Sequence, residues 1–173
     1  MVFPAGARFI PFGESEYSPV KTLVIYDSVF GNTEKVAQAI AAALQATATP
    51  ISQVTDEQVR DLNVLVVGSP TRGFRPTEGI SKFIGALPNH QLADIRVAAF
   101  DTRIVLETIN SKALRFLVDK AGYAAATIAK ALEKKGGRLA APPEGFFVTG
   151  EQGPLKDGEL ERAAAWAGKW MAG

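Results

Sequence analysis

The sequence predicts an α/β protein of three layers, in which helices cover both faces of a five-stranded parallel sheet. Two observations predict this fold class. Short apolar runs of strand length alternate along the chain with segments whose apolar residues recur at helical spacing, which is typical of parallel sheets. The runs are also continuously apolar, as expected for strands that are covered on both faces. Five such strands fit the strand order 2-1-3-4-5.

The predicted strands differ in strength. Three of them are uninterrupted apolar runs, the second is weaker, and the last is interrupted by Pro142 and Pro143, which have no N–H to donate to a neighbouring strand. In chain order the five predicted strands are 22–26, 48–54, 63–67, 95–100 and 138–148.

Four helices are predicted from apolar residues spaced three or four apart, which fall on one helix face. Their apolar stripes are Val36, Ile40, Ala43 and Leu44; Ile80, Phe83, Ile84 and Leu87; Ala125, Ile128, Ala131 and Leu132; and Leu160, Ala163, Ala164, Ala167 and Trp170. The third helix is expected to end at Gly136 and Gly137.

Length and composition are those of a single globular domain. The chain has 173 residues, 47% of them hydrophobic and 21% charged, which is ordinary for a soluble protein. We expect residues 1–20 to form an N-terminal arm, either poorly ordered or packed on the domain, and 21–173 to form the domain. The arm does not resemble a signal peptide, and no apolar run approaches the ~20 residues of a membrane helix. A cytoplasmic protein without membrane contact is therefore expected.

Several kinds of site are excluded or disfavoured by composition. The absence of cysteine excludes disulfides, thiolate catalysis and iron–sulfur ligation. A single histidine, His90, disfavours a histidine metal cluster or a Ser-His-Asp triad. A formal net charge of +1 without a basic stripe disfavours nucleic-acid binding. We therefore expect neither a metal site nor a nucleic-acid partner.

The segment after the first strand is a candidate phosphate loop. It comprises residues 27–33, Asp-Ser-Val-Phe-Gly-Asn-Thr, and leads directly into the first predicted helix, whose N-terminus offers free N–H groups to an anion. Ser28, Asn32 and Thr33 add side-chain donors, and Gly31 allows close approach of the backbone. Because the loop has no lysine, it differs from the nucleoside-triphosphate loop and favours a monophosphate. The alternative is that these residues only cap the helix.

This segment resembles the phosphate-loop signature of the flavodoxin family. Two aliphatic residues, an aromatic residue, Ser28, Gly31 and Thr33 stand at the expected positions, and Ala37 and Ile40 follow. The resemblance extends from Thr22 to the C-terminus and implies a flavodoxin-like fold that binds flavin mononucleotide (FMN). Its phosphate contacts would come from Ser28, Val29, Phe30, Gly31, Asn32 and Thr33. Many flavodoxins have a hydroxyl residue in place of Phe30, so weaker binding is expected.

The resemblance further implies that two loops border the flavin ring. They would supply Pro70, Thr71, Arg72, Gly73 and Phe74 after the third strand, and Phe100, Asp101, Thr102 and Arg103 after the fourth. The second loop commonly carries a stacking tyrosine, which is missing here. Phe74 or Phe100 could stack instead, although the end of a buried strand favours a core role for Phe100.

Three arginines are expected to meet at these loops. Flavodoxins that carry electrons are typically acidic, whereas the pI of this chain is near 8.0. If Arg72, Arg75 and Arg103 lie beside the flavin, they would stabilise its reduced anion and raise its potential. The alternative is that they point into solvent, where screening removes most of the effect.

Two classes of function remain open. The first is an FMN-binding redox protein, which either transfers electrons with a partner protein or catalyses NAD(P)H-dependent reduction of a small molecule such as a quinone. Quinone reductases of flavodoxin-like fold resemble the chain at 70–72, and they need no catalytic side chain because the flavin carries the chemistry. The second is a binding or regulatory module that has lost flavin and uses Arg72 and Arg103 to bind an anionic ligand or a partner. A homodimer is compatible with both.

Overall fold

A parallel β-sheet forms the centre of the computed structural model, which describes residues 20–105, 111–113, 116 and 122–171. Within these residues the sheet has six strands in the order β2-β1-β3-β4-β5, and β6 also pairs with β4. The strands are β1 (Thr22–Tyr26), β2 (Thr47–Pro50), β3 (Val64–Pro70), β4 (Arg96–Ile104), β5 (Arg138–Leu139) and β6 (Glu144–Val148). The predicted fold class and order 2-1-3-4-5 are confirmed, with one strand added.

The additional strand arises because the predicted fifth strand is divided. β5 pairs with the start of β4 and β6 with its end, both in parallel. Four residues separate Leu139 from Glu144, whereas only two separate their partners Val97 and Phe100 on β4. The two prolines expected to interrupt this strand lie in the extra length. Since proline cannot donate to the ladder, pairing stops there and resumes at β6.

Two layers of helices cover the sheet. The described helices are α1 (Asn32–Ala43), α2 (Asp56–Val59), α3 (Glu78–Ala86), α4 (Ala124–Lys134) and α5 (Glu159–Met171). The core on one face is completed by α1 and α5, and the core on the other by α3 and α4. All four predicted helices are present. The short α2 was not predicted; it begins with a capping box formed by Thr55 and Gln58.

Alternation of buried side chains along each strand explains why the strands read as continuous apolar runs. In β1, Leu23 and Ile25 belong to the core on one face, whereas Val24 and Tyr26 belong to the core on the other. Successive residues of a strand point to opposite faces. Because both faces are covered, every position in β1 after its first residue is buried.

An arginine links the last strand to the last helix. Arg162 of α5 forms ion pairs with Glu144 of β6 at 3.1 Å and with Glu159 at 2.6 Å. The N–H of Phe147 donates to Glu159 at 2.7 Å. Burial disfavours the ionised form of Glu159, but these hydrogen bonds and the positive charges of Arg162 and Lys156 outweigh it and lower the pKa of Glu159. The carboxylate therefore stabilises this junction.

Two further expectations concern a membrane helix and the N-terminal arm. No helix in the described part of the chain is both long and apolar enough to cross a membrane. The predicted N-terminal arm lies outside the described residues, except for Val20.

Candidate functional site

A cavity of about 220 Å³ lies at the carboxyl ends of the central strands. In open parallel sheets ligands bind at this edge, where the strand order reverses. The walls come from the candidate phosphate loop, from the ends of β3, β4 and β6, and from the segments that follow β3 and β6. The lining residues are Val29, Phe30, Asn32, Thr33, Pro70, Thr71, Arg72, Gly73, Thr102, Arg103, Ile104, Val148 and Glu151.

The phosphate loop is folded by its serine. Ser28 Oγ accepts hydrogen bonds from the N–H groups of Gly31 at 3.1 Å and Glu34 at 3.4 Å. Gly31 has a φ of 83°, in the left-handed region that favours glycine. Ser28 does not line the cavity, so it holds the shape of the turn.

The N-terminus of α1 is available to an anion. Among the residues that the structure describes, none accepts a hydrogen bond from the backbone N–H of Phe30, Asn32 or Thr33. All three residues line the cavity, and Asn32 and Thr33 are buried. Free N–H groups and the positive end of the helix dipole together favour a bound phosphate.

Side chains at this N-terminus connect it to two other walls. The hydroxyls of Thr33 and Thr102 lie 2.8 Å apart, and Asn32 Nδ2 donates to the carbonyl of Gln152 at 3.0 Å. A Cβ on Gly153 would lie 2.4 Å from Asn32 Nδ2, so glycine is required for this contact. One of the two hydroxyl protons and the second N–H of the Asn32 amide remain free to donate.

The segment after β3, residues 71–77, is closed by hydrogen bonds that its backbone N–H groups donate. Thr77 N–H donates to the buried Ser69 Oγ at 2.9 Å, and Arg72 and Arg75 exchange both of their backbone hydrogen bonds. Between them, Gly73 and Phe74 form a tight turn with φ values of 52° and 67°. A positive φ is unfavourable for a bulky residue such as Phe74. Phe74 does not line this cavity, and neither does Arg75.

Arg72 extends from this turn to the phosphate loop. Its guanidinium carbon lies 5.7 Å from the centre of the Phe30 ring, which is 44% exposed at the cavity mouth. In the described part of the chain no carboxylate lies within ion-pair distance of Arg72. Arg72 is therefore an uncompensated cation beside the candidate phosphate site.

The predicted loop 100–103 is part of a strand. The prediction that β4 ends at Phe100 is wrong, because pairing with β3 and β6 continues the strand to Ile104. Phe100 is fully buried and packs edge to face on Phe146 at 6.1 Å. Its ring lies over Gly68 of β3, where a Cβ would be only 2.0 Å from Phe100 Cζ. Phe100 is thus a core residue, which is the role that the sequence favoured for it.

The charge of Arg103 is compensated within the protein. Its Nε and Nη2 donate to the two carboxylate oxygens of the fully buried Asp101 at 2.6 Å and 2.8 Å. The guanidinium lies 3.6 Å from the centre of the Tyr123 ring, and a Cβ on Gly145 would be 2.2 Å from Arg103 Cζ. Arg103 is therefore fixed between a ring and a glycine backbone.

Asp101 also anchors the start of α4. Its Oδ2 accepts from the N–H of Ala125 at 2.8 Å, and Thr71 Oγ1 accepts from Ala124 at 2.9 Å. Burial raises the pKa of the Asp101 carboxyl, against the opposing effects of Arg103, the Ala125 N–H and Thr71. Asp101 thus joins the cavity wall to α4 without facing the cavity.

The structure brings most of the predicted site residues around one cavity. The predicted residues that do not line it are Ser28, Gly31, Phe74, Phe100 and Asp101. Sequence reasoning missed Ile104, Val148 and Glu151. Val148 ends the predicted fifth strand and Glu151 follows it at the same sheet edge, so the rule that ligands bind at the carboxyl ends could have identified that segment.

Comparison with known proteins identifies the family. A family model described as a flavodoxin domain matches residues 23–150. The chain belongs to the flavodoxin family. No curated protein sequence matches it significantly.

Solved structures agree with this assignment at the level of the fold. Flavodoxin 2 from Bacillus cereus is 20% identical, with a TM-score of 0.67 over 87% of this chain and 97% of that one. A flavodoxin from the domain Archaea is 18% identical, with a TM-score of 0.65 over 87% and 96%. A WrbA-like flavodoxin from Agrobacterium tumefaciens is 19% identical, with a TM-score of 0.65 over 87% and 94%.

Proposed function

We propose that this flavodoxin-family protein binds FMN in the cavity and acts in electron transfer or in two-electron reduction. The observation that carries the proposal is that no described residue accepts a hydrogen bond from the backbone N–H of Phe30, Asn32 or Thr33, three residues that line the cavity. The donor chemistry fits a phosphate monoester, because these N–H groups, one hydroxyl of the Thr33–Thr102 pair and the second N–H of the Asn32 amide can donate to it.

The remaining walls suit the rest of the cofactor. Pro70, Ile104 and Val148 present apolar surface beside the polar end of the same cavity. The flavin, when bound, accepts and passes on electrons, so the chain needs only to bind and orient it. The ionisable side chains on the described walls are Arg72, Arg103 and Glu151, and none of them is required as a proton donor.

We expect the arginine cluster to affect a bound flavin less than the sequence suggested. Arg103 is paired with Asp101, so its net influence on a bound flavin is that of a neutral pair. Arg75 lies off the cavity and Arg72 contacts the phosphate loop. We therefore expect little elevation of the flavin potential from Arg103, and both a protein redox partner and a nicotinamide or quinone substrate stay within the proposal.

The purified protein offers a direct test. We expect it to be yellow, or to become yellow with FMN, at one flavin per chain and a Kd in the micromolar range or below. Flavin adenine dinucleotide should bind less well, because its phosphate is not terminal. Quenching of flavin fluorescence measures both affinities. NAD(P)H consumption by the FMN-loaded protein, with and without a quinone, then separates a reductase from an electron carrier.

A second candidate is a module of this fold that binds an anionic ligand without flavin. It is favoured by Phe30, which lacks the usual hydroxyl and approaches Arg72 at the cavity mouth. A protein that quenches no FMN fluorescence at micromolar concentration, yet binds inorganic phosphate or another small anion, would support this candidate and contradict the first.

A further inference from the structure

Several carboxylates lie in or near the candidate phosphate loop, whose hydrogen-bond donors are uncharged. Asp27, within the loop, accepts a hydrogen bond from its own neighbour Ser28 at 2.9 Å, and Glu34 follows in the first turn of α1. Glu151 adds another carboxylate to the cavity wall. A phosphate monoester carries about −1.5 to −2 charges at neutral pH. Of these carboxylates Glu151 lines the cavity and therefore repels the phosphate, and Phe30 has no hydroxyl with which to bind it.

Arg72 is the group that can offset this repulsion. It lines the same cavity as Asn32 and Thr33, and its guanidinium lies above Phe30 of the phosphate loop. The other arginine on the wall, Arg103, is already occupied by Asp101. Guanidinium presents a planar fork of donors that matches phosphate oxygens.

We propose that Arg72 supplies the counter-charge for the FMN phosphate, and that the Phe30 ring positions Arg72 for this contact. The inference rests on the proposed function. Cation–π attraction holds a guanidinium near an aromatic face, so Phe30 acts through Arg72. The site consequently selects flavin with a terminal phosphate, and its affinity depends on salt.

Matched variants and two ligands test this inference. FMN and riboflavin share the flavin ring, and riboflavin lacks the phosphate. Arg72→Gln should weaken FMN binding by roughly 10- to 100-fold, the loss expected for a charge-assisted hydrogen bond, and leave riboflavin binding unchanged. Arg75→Gln, on the same turn but off the cavity, should change neither. Thermal unfolding of each variant without flavin checks that the fold is intact.

Phe30 and salt provide independent measurements. Raising the salt concentration should weaken FMN binding to the wild type more than to Arg72→Gln, because salt screens an exposed charge pair. Phe30→Leu should lower FMN affinity severalfold. Phe30→Thr restores a hydroxyl, so Arg72→Gln should cost less in that background than in the wild type.

The outcomes separate this inference from the proposed function. If the wild type does not bind FMN, the proposed function fails and the inference with it. If the wild type binds FMN but Arg72→Gln and Arg75→Gln weaken it equally, or Arg72→Gln weakens FMN and riboflavin equally, the proposed function stands and the role of Arg72 is refuted.

Discussion

Removal of the carboxylate of Asp101 should destabilise the protein far more than removal of a surface carboxylate. In Asp101→Asn the amide oxygen still accepts from the Ala125 N–H, but Arg103, whose side chain is only 16% exposed, loses its compensating charge. Breaking a buried pair by removing one partner costs about 3–5 kcal/mol. For a chain of this size that lowers the midpoint of thermal unfolding by roughly 6–20 °C.

The same chain contains a suitable control. Glu78 and Lys82 form an ion pair at 2.7 Å on the surface of α3, with side chains 79% and 76% exposed. Glu78→Gln should cost less than about 0.5 kcal/mol. Urea unfolding of the flavin-free protein, followed by circular dichroism, measures both variants.

A second variant isolates the uncompensated charge. The double variant Asp101→Asn/Arg103→Gln has no buried cation left unpaired, so it should recover part of the stability lost in Asp101→Asn. If Asp101→Asn costs no more than Glu78→Gln, or if the double variant is less stable than Asp101→Asn, the buried charge is not the source of the effect.

Three further predictions concern the loop, the sheet and pH. Ser28→Ala should lower stability by about 1 kcal/mol and weaken FMN and riboflavin equally in binding titrations, because Ser28 holds the turn from outside the cavity. Gly68→Ala should lower the free energy of unfolding in urea by about 1–3 kcal/mol, because the new Cβ forces the Phe100 ring to move. Gly85→Ala has open space at its Cβ and should leave the free energy of unfolding unchanged or raise it. Folding lowers the pKa of Glu159 from 4.5. The ionised Glu159 side chain therefore stabilises the folded state at pH values above 4.5, and this stabilisation is lost as the pH falls through the lower pKa of the folded state. The difference in unfolding midpoint between the wild type and Glu159→Gln should accordingly shrink in acid.

The fold could be predicted because the spacing of apolar residues along the chain indicates which positions are buried. Continuous apolar runs such as that of β1 are required when adjacent residues face different covered layers, as Val24 and Ile25 do. The end of β4 was not predicted, since Asp101 and Arg103 are residue types usually found outside a core. Because Asp101 and Arg103 are two residues apart, a strand places both side chains on the same face. This spacing is the feature of the sequence that indicates their pairing.

The candidate site was predictable only in part. The candidate phosphate loop could be singled out from the sequence because its donor residues lie within one short segment that leads into a helix. The approach of Arg72 to Phe30 joins two loops distant in sequence and depends on side-chain placement. The turn at Gly73 and Phe74 likewise determines which side chains reach the cavity, and its two positive φ values have no marker in the sequence beyond the glycine itself.

Backbone amide resonances during an FMN titration test the central claim most directly. Phe30, Asn32 and Thr33 line the cavity, and no residue in the described part of the chain accepts from their backbone N–H groups. Their amide protons should therefore shift strongly when a phosphate accepts from them. We predict large shifts for these three amides with FMN and small shifts with riboflavin. Equal shifts with both ligands, or the largest FMN shifts away from the N-terminus of α1, would contradict a flavin site that is organised around its phosphate.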